Sequence, residues 1–127
     1  MIHLDTSALI GALTGRRVAL PTLRRLVADE ERLGLCSMVL YEWSRGPRSD
    51  DELRDQERLV PATTAVPFGP VEARVAVEIY LHLSRPRPRA ADIAIAACAI
   101  TQGAALWTLN PADFRDIPGL ELARYSR

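Results

Sequence analysis

The sequence predicts an α/β domain built in three layers, α/β/α, around a central, mostly parallel sheet. Short apolar runs at Ile2-His3-Leu4, Leu35-Cys36-Ser37, Val66-Pro67-Phe68 and Ala105-Leu106-Trp107-Thr108 alternate with longer stretches of helical periodicity. Strands separated by helices pair in parallel, because a parallel crossover is long enough to hold a helix and lays it on the sheet. The length of 127 residues fits one domain with its own core, expected to span 1–127.

Each element has a local reason. Ile2-His3-Leu4 runs into Asp5-Thr6-Ser7, three capping residues, and then into the apolar helix start Ala8-Leu9-Ile10. From Leu20 to Leu33 the apolar Leu20, Leu23, Leu26 and Val27 recur at helical spacing, with Arg24, Arg25, Asp29, Glu30 and Arg32 between them. Gly34 is expected to end that helix, Leu35-Cys36-Ser37 to form the second strand, and Met38 to Trp43 a helical turn that Gly46-Pro47 breaks. The charged stretch from Asp50 to Val60 reads as a peripheral helix. Gly69-Pro70 opens a helix whose stripe of Val71, Val75 and Ile79 is expected to pack on the sheet. Arg85-Pro86-Arg87-Pro88-Arg89 interrupts regular structure, since neither proline donates a backbone hydrogen bond. Ala90 to Ile100 is apolar enough for a buried helix, Gly103 stops it, and Leu120-Glu121-Leu122-Ala123 alternates as a final edge strand.

Composition removes several function classes. At 48% hydrophobic and 25% charged the chain is not disordered. No apolar run reaches the roughly 18 residues of a membrane span, and no secretory apolar segment follows Met1, so a cytoplasmic protein without membrane contact is expected. Cys36 and Cys98 lie among apolar residues and read as buried free thiols. All 16 basic residues are arginine. Without lysine neither a P-loop nucleotide site nor a Schiff-base enzyme can be assembled. The net charge of zero means that any affinity for a phosphate backbone rests on local patches. His3 reads as a packed strand residue and His82 as part of an amphipathic helix, so neither is expected to act as a general acid or base.

Four acids stand where strands give way to helices: Asp5, Glu42, Asp92 and Asp113. Taken singly, three have a structural reading: Asp5 as a helix cap, Glu42 as a surface acid, and Asp113 as the first-turn acid after Asn110 as N-cap and Pro111 at the first helical position. Asp92 does not, because Ala90, Ala91, Ile93, Ala94, Ile95, Ala96 and Ala97 surround it in sequence. A helix dipole contributes about 0.3 to 1 kcal/mol, whereas desolvating an unpaired carboxylate costs several, so Asp92 needs a cation. Two carboxylates about 4 Å apart repel by roughly 4 kcal/mol at an effective dielectric near 20, so an arginine or a metal must neutralise a cluster. Oxygen ligands without nearby His or Cys select Mg²⁺ or Mn²⁺ over zinc.

Four segments, in order, resemble PIN-domain proteins and specifically the VapC-type toxins of bacterial toxin–antitoxin pairs. They are Ile2-His3-Leu4-Asp5-Thr6-Ser7-Ala8-Leu9, Ser37-Met38-Val39-Leu40-Tyr41-Glu42-Trp43-Ser44-Arg45-Gly46, Asp92-Ile93-Ala94-Ile95-Ala96-Ala97, and Leu106-Trp107-Thr108-Leu109-Asn110-Pro111-Ala112-Asp113-Phe114. The resemblance implies a PIN-like three-layer fold in which Asp5, Glu42, Asp92 and Asp113 are the catalytic, metal-holding acids, with Thr6 or Ser7, Thr108 and Asn110 as polar supports. It implies an endoribonuclease using Mg²⁺, with Mn²⁺ as substitute, on tRNA or rRNA. It also implies a homodimer and a VapB-type antitoxin whose arginine reaches the acids. Asp113 meets the metal either directly or through water.

Arginines at the rim, Arg45, Arg48, Arg85, Arg87 and Arg89, are assigned to RNA phosphates. A phospho-receiver is excluded by the missing lysine, and a haloacid-dehalogenase-like phosphatase by Ser7, which stands where its second aspartate would be. A catalytically silent PIN-fold RNA-binding or interaction module is the remaining alternative.

Overall fold

The computed structural model describes residues 1–125; residues 126 and 127, part of the expected domain, lie outside the described residues. Strand β1 (Ile2–Leu4) leads into helix α1 (Thr6–Leu13), followed by α2 (Leu20–Ala28), β2 (Leu33–Gly34), α3 (Ser37–Arg45), α4 (Asp50–Leu59), α5 (Pro70–His82), α6 (Ala90–Thr101) and β3 (Ala105–Trp107). β1 lies between β2 and β3 and is parallel to both, with Ile2 opposite Leu33 on one side and Ala105 on the other. All three β1 residues are buried, as expected of a strand covered on both faces. Helix α1 packs on α2, α3 and α4, while α6 packs on α5, α3 and β3, so two helical groups flank the sheet. The core runs through Leu4, Leu9, Leu26, Val39, Trp43, Ile95, Leu106 and Trp107, each at most 1% exposed.

Several boundaries depart from expectation. Helix α2 stops at Ala28 rather than Leu33, because Glu30 adopts a left-handed backbone, with φ of 57°, and turns the chain back toward the sheet. The second strand is consequently Leu33–Gly34, ahead of the expected Leu35-Cys36-Ser37. Cys36 instead caps α3, its sulfur accepting the N–H of Met38. Val66 makes one parallel bridge to Cys36, where a strand was expected over 66–68; Pro67 has no N–H to continue the ladder. Leu122 likewise makes one bridge to Leu106 in place of an edge strand over 120–123. The principal partner of α5 is α6, not the sheet; Ile79 is buried there while Val71 is largely exposed.

Cys36 and Cys98 are buried free thiols as expected, in contact at 2.9 Å between sulfurs, which links the start of α3 to α6. His3 is 1% exposed. Its ring lies close against Gly34, where an added Cβ would come within 3.1 Å of ring atoms, so the glycine makes room for it. Neither ring nitrogen has a partner among the described residues, and burial, aided by the positive N-terminus, pushes its pKa down to about 4.

His3 is thus neutral in the fold but takes a proton in the unfolded chain near pH 6.5. Its folded value is the lower one, so its contribution to stability is present above pH 6.5 and lost as pH falls through about 4. A shift of this size corresponds to about 3 kcal/mol. His3→Leu should remove this acid-side loss in denaturant melts taken from pH 7 to 4; an unchanged pH profile would contradict it.

Candidate functional site

β1 delivers Asp5 to the carboxyl edge of the sheet, and the backbone N–H of Asp5 donates to the Trp107 carbonyl at 2.9 Å, which fixes it beside the end of β3. Asp5 stands at the N-cap position of α1 and is 5% exposed, yet its side chain caps nothing. Its Oδ2 accepts instead from the Ser7 hydroxyl and the Thr108 hydroxyl, both at 2.7 Å. A hydroxyl has one proton, so with both spent on Asp5 the 3.2 Å approach of Ser7 to Thr108 holds no further full hydrogen bond. Their lone pairs are used as well: Ser7 accepts the Leu109 N–H and Thr108 the Asn110 N–H, each at 3.0 Å. Capping therefore does not account for Asp5; a network of hydroxyls and amides drawn from both strand ends orients it.

Glu42 sits on α3 two turns after the Cys36 cap, half-buried, and the Thr6 hydroxyl donates to its Oε1 at 2.6 Å. Thr6 and Ser7, which the sequence left as alternatives, thus serve different acids. Asn110 donates its backbone N–H to the Thr108 hydroxyl, and its carbonyl accepts from the Asp113 N–H. At the N-cap of the 3-10 turn Pro111–Asp113 its side chain makes no cap, contrary to expectation. Asp113 ends that turn and is exposed.

Asp92 occupies the first turn of α6. Burial pushes its pKa up to about 6, and the negative charges of Asp5, Asp113 and Glu42 push the same way, in that order, while Arg89 opposes them. Three of the acids that sequence singled out therefore act electrostatically on the fourth, Asp92. Yet among the described residues no three His, Cys, Asp or Glu side chains gather closely enough to hold a metal ion. The two observations differ in range: Coulomb repulsion acts across several ångströms, whereas Mg²⁺ ligation requires oxygens at about 2.1 Å. Mg²⁺ commonly takes only one or two carboxylates and completes its shell with water, so this all-oxygen donor set fits it chemically.

The arginines divide. Arg89 places Nη1 and Nη2 on the two oxygens of Asp116, each at 2.8 Å, and Nη2 also donates to the Asp113 carbonyl at 2.6 Å, so its guanidinium is engaged within the fold. Arg48 lies over the Trp43 ring at 4.4 Å, and Gly46 permits it, since a Cβ there would come within 2.8 Å of Nη2. Arg45 stacks over Tyr41 at 5.0 Å on the surface, and Arg85 and Arg87 are exposed. Asp116 was missed from the sequence; it lies 27 residues from Arg89, a separation that carries no local pattern.

Residues 2–120 match the family model of the PIN domain. The chain belongs to the PIN-domain family. No curated protein sequence matches it. Among solved structures this PIN domain is similar to a chain of DNA-bound VapBC from Salmonella typhimurium, at 20% identity and a TM-score of 0.76, over 98% of this chain and 97% of that one. It is also similar to a chain of VapBC2 from Rickettsia felis bound to a promoter DNA fragment, at 21% identity and a TM-score of 0.69, over 97% and 98%. A third likeness is to FitAcB from Neisseria gonorrhoeae, at 18% identity and a TM-score of 0.71, over 98% of each chain. At these identities what is shared is the fold.

The folded PIN domain carries Asp92 with a pKa above the unfolded value of 3.8, so the stability linked to this group is present below pH 3.8 and lost as pH rises through about 6. Asp92→Asn should raise stability at pH 8 by about 1 to 3 kcal/mol, discounted for partial exposure, with the gain fading below pH 4. Thermal melts at the two pH values check this; an equal effect at both would contradict it.

Proposed function

We propose that this PIN domain is a Mg²⁺-dependent endoribonuclease, with Mn²⁺ as substitute, acting as the toxin of a VapBC-type pair in the cytoplasm. The observation that carries the reading is the electrostatic state of Asp92, held high by burial and by three acids from distant parts of the chain. A site that concentrates negative charge at the carboxyl ends of parallel strands is suited to a divalent cation and, through it, to a phosphodiester. PIN membership supports nuclease chemistry, and the solved VapBC complexes of similar fold support the toxin assignment.

In this reading Asp5, Glu42 and Asp92 hold the ion, with Asp113 joining directly or through water. When bound, the metal supplies activation of a water and stabilisation of charge developing on the phosphoryl oxygens. The chain's own residues set the geometry. Ser7 and Thr108 keep Asp5 from rotating toward the α1 amides, and Thr6 fixes Glu42 relative to the same helix start. His3 is buried and His82 lies on the exposed side of α5, so proton transfers fall to water and to the carboxylates. RNA, tRNA or rRNA in this proposal, would be positioned by Arg45, Arg85 and Arg87. Arg48 and Arg89 leave that role for the packing described above. A VapB-type antitoxin would neutralise the acids with an arginine, doing electrostatically what the ion does, and the toxin would act as a homodimer.

Protein freed of any partner should cut RNA with Mg²⁺ or Mn²⁺ and stop when chelator is added. Asp5→Asn or Asp92→Asn should each lower the rate by at least about 100-fold, the scale at which lost transition-state charge stabilisation is felt. Cleavage that survives both substitutions would refute the nuclease reading in favour of a silent RNA-binding module. Arg87→Glu should weaken RNA binding and flatten its dependence on log salt by about one contact; an unchanged slope would remove Arg87 from the RNA path.

A further inference from the structure

The polar link between the segments bearing Asp92 and Asp113 comes from Arg89. It ends the 3-10 turn Arg87–Arg89 that leads directly into α6, three positions before Asp92. From there its guanidinium spans to the turn after β3, taking both oxygens of Asp116 and the carbonyl of Asp113 itself. A bidentate fork fixes the guanidinium plane as well as its distance, which a single ion-pair contact does not. The Arg89 side chain is 22% exposed, against 61% and 78% for Arg54 and Arg58 in the ion pairs of α4, while its partner Asp116 is 55% exposed, so it is the arginine of the pair that is withdrawn from solvent. Asp113 lies on a turn of three residues without a side-chain cap. Its own backbone bonds, Asp113 N–H to the Asn110 carbonyl and Phe114 N–H to the Pro111 carbonyl, set its path, and the Arg89 bond to the Asp113 carbonyl adds a hold from outside at the residue that bears the fourth carboxylate.

We propose that Arg89 and Asp116 form a positioning clamp that sets the fourth acid, Asp113, against Asp92 and so tunes how tightly the site takes its divalent ion. The inference rests on the metal-site reading above but adds two residues to it. Arg89 exchanges the RNA contact expected from sequence for a role inside the site's scaffold, and Asp116 acquires a role where none was expected. Geometry and bare charge make opposite predictions for Arg89. Removing a nearby positive charge alone would tighten binding of a cation, whereas loosening the turn weakens it.

The test is Mn²⁺ affinity of the full chain, read by titration calorimetry, with thermal melting recorded alongside. Arg89→Gln and Asp116→Asn should each weaken Mn²⁺ binding by about tenfold, the lower end of what loss of a ligand-orienting partner costs. The double variant should be no weaker than either single one, because the pair works as a unit. Arg89→Lys, which keeps the charge but not the fork, should also weaken binding, while Asp116→Glu should restore most of it. Tighter or unchanged Mn²⁺ binding in Arg89→Gln, with Asp92→Asn abolishing it, overturns the clamp and leaves the metal site standing. Wild-type protein that takes up no Mn²⁺ overturns both. A fall in melting temperature with unaltered Mn²⁺ affinity shows the pair to be structural only and also overturns the proposal.

Discussion

Repulsion among carboxylates is the constraint around which this molecule is organised. Asp5 and Asp92 are drawn out of bulk water by the same sheet and helix that make the core, and Glu42 and Asp113 add their charge to the same region. A fold driven only toward stability would not place them so. The chain offsets part of the strain locally, with two hydroxyls on Asp5, one on Glu42, and the Arg89 cation near Asp92. What is left over is an appetite for positive charge, which, in the function proposed above, a divalent ion or a partner's arginine would satisfy in the same way.

The parallel sheet explains why residues so far apart in sequence reach one region. With β1 central and its neighbours parallel, all three strands end on the same edge, and each following segment begins there. Asp5 follows β1 at once, Thr108 follows β3 at once, and α3 starts soon after β2 with Cys36 as its cap. Two opposing acid–base dependences accompany this design. His3 favours the fold as pH rises, Asp92 as pH falls, and both act between about pH 4 and 6.5, so these two contributions partly cancel.

Much of this was legible beforehand because it depends on local rules. The apolar surroundings of Asp92 announced a carboxylate with an unusual environment, and the order of short apolar runs and periodic segments announced parallel pairing. Other features depend on contacts that sequence does not encode locally. The left-handed Glu30 shortens α2 although no glycine or proline marks the position, and it displaces the second strand with it. Capping statistics suggested a cap role for Asp5 and Asn110, but the hydroxyl of Thr108, about a hundred positions from Asp5, competes for the carboxylate. The pairing of Arg89 with Asp116 follows only from the fold, so an arginine in a basic, proline-rich run read as a nucleic-acid contact.

The single-residue bridges at Val66 and Leu122 have a bearing on assembly. They close both margins of the sheet with isolated contacts, and Pro67 supplies no donor beyond one of them. Among the described residues an incoming chain therefore finds no long run of unsatisfied peptide groups to zip onto, the route by which bare margins recruit neighbours into aggregates.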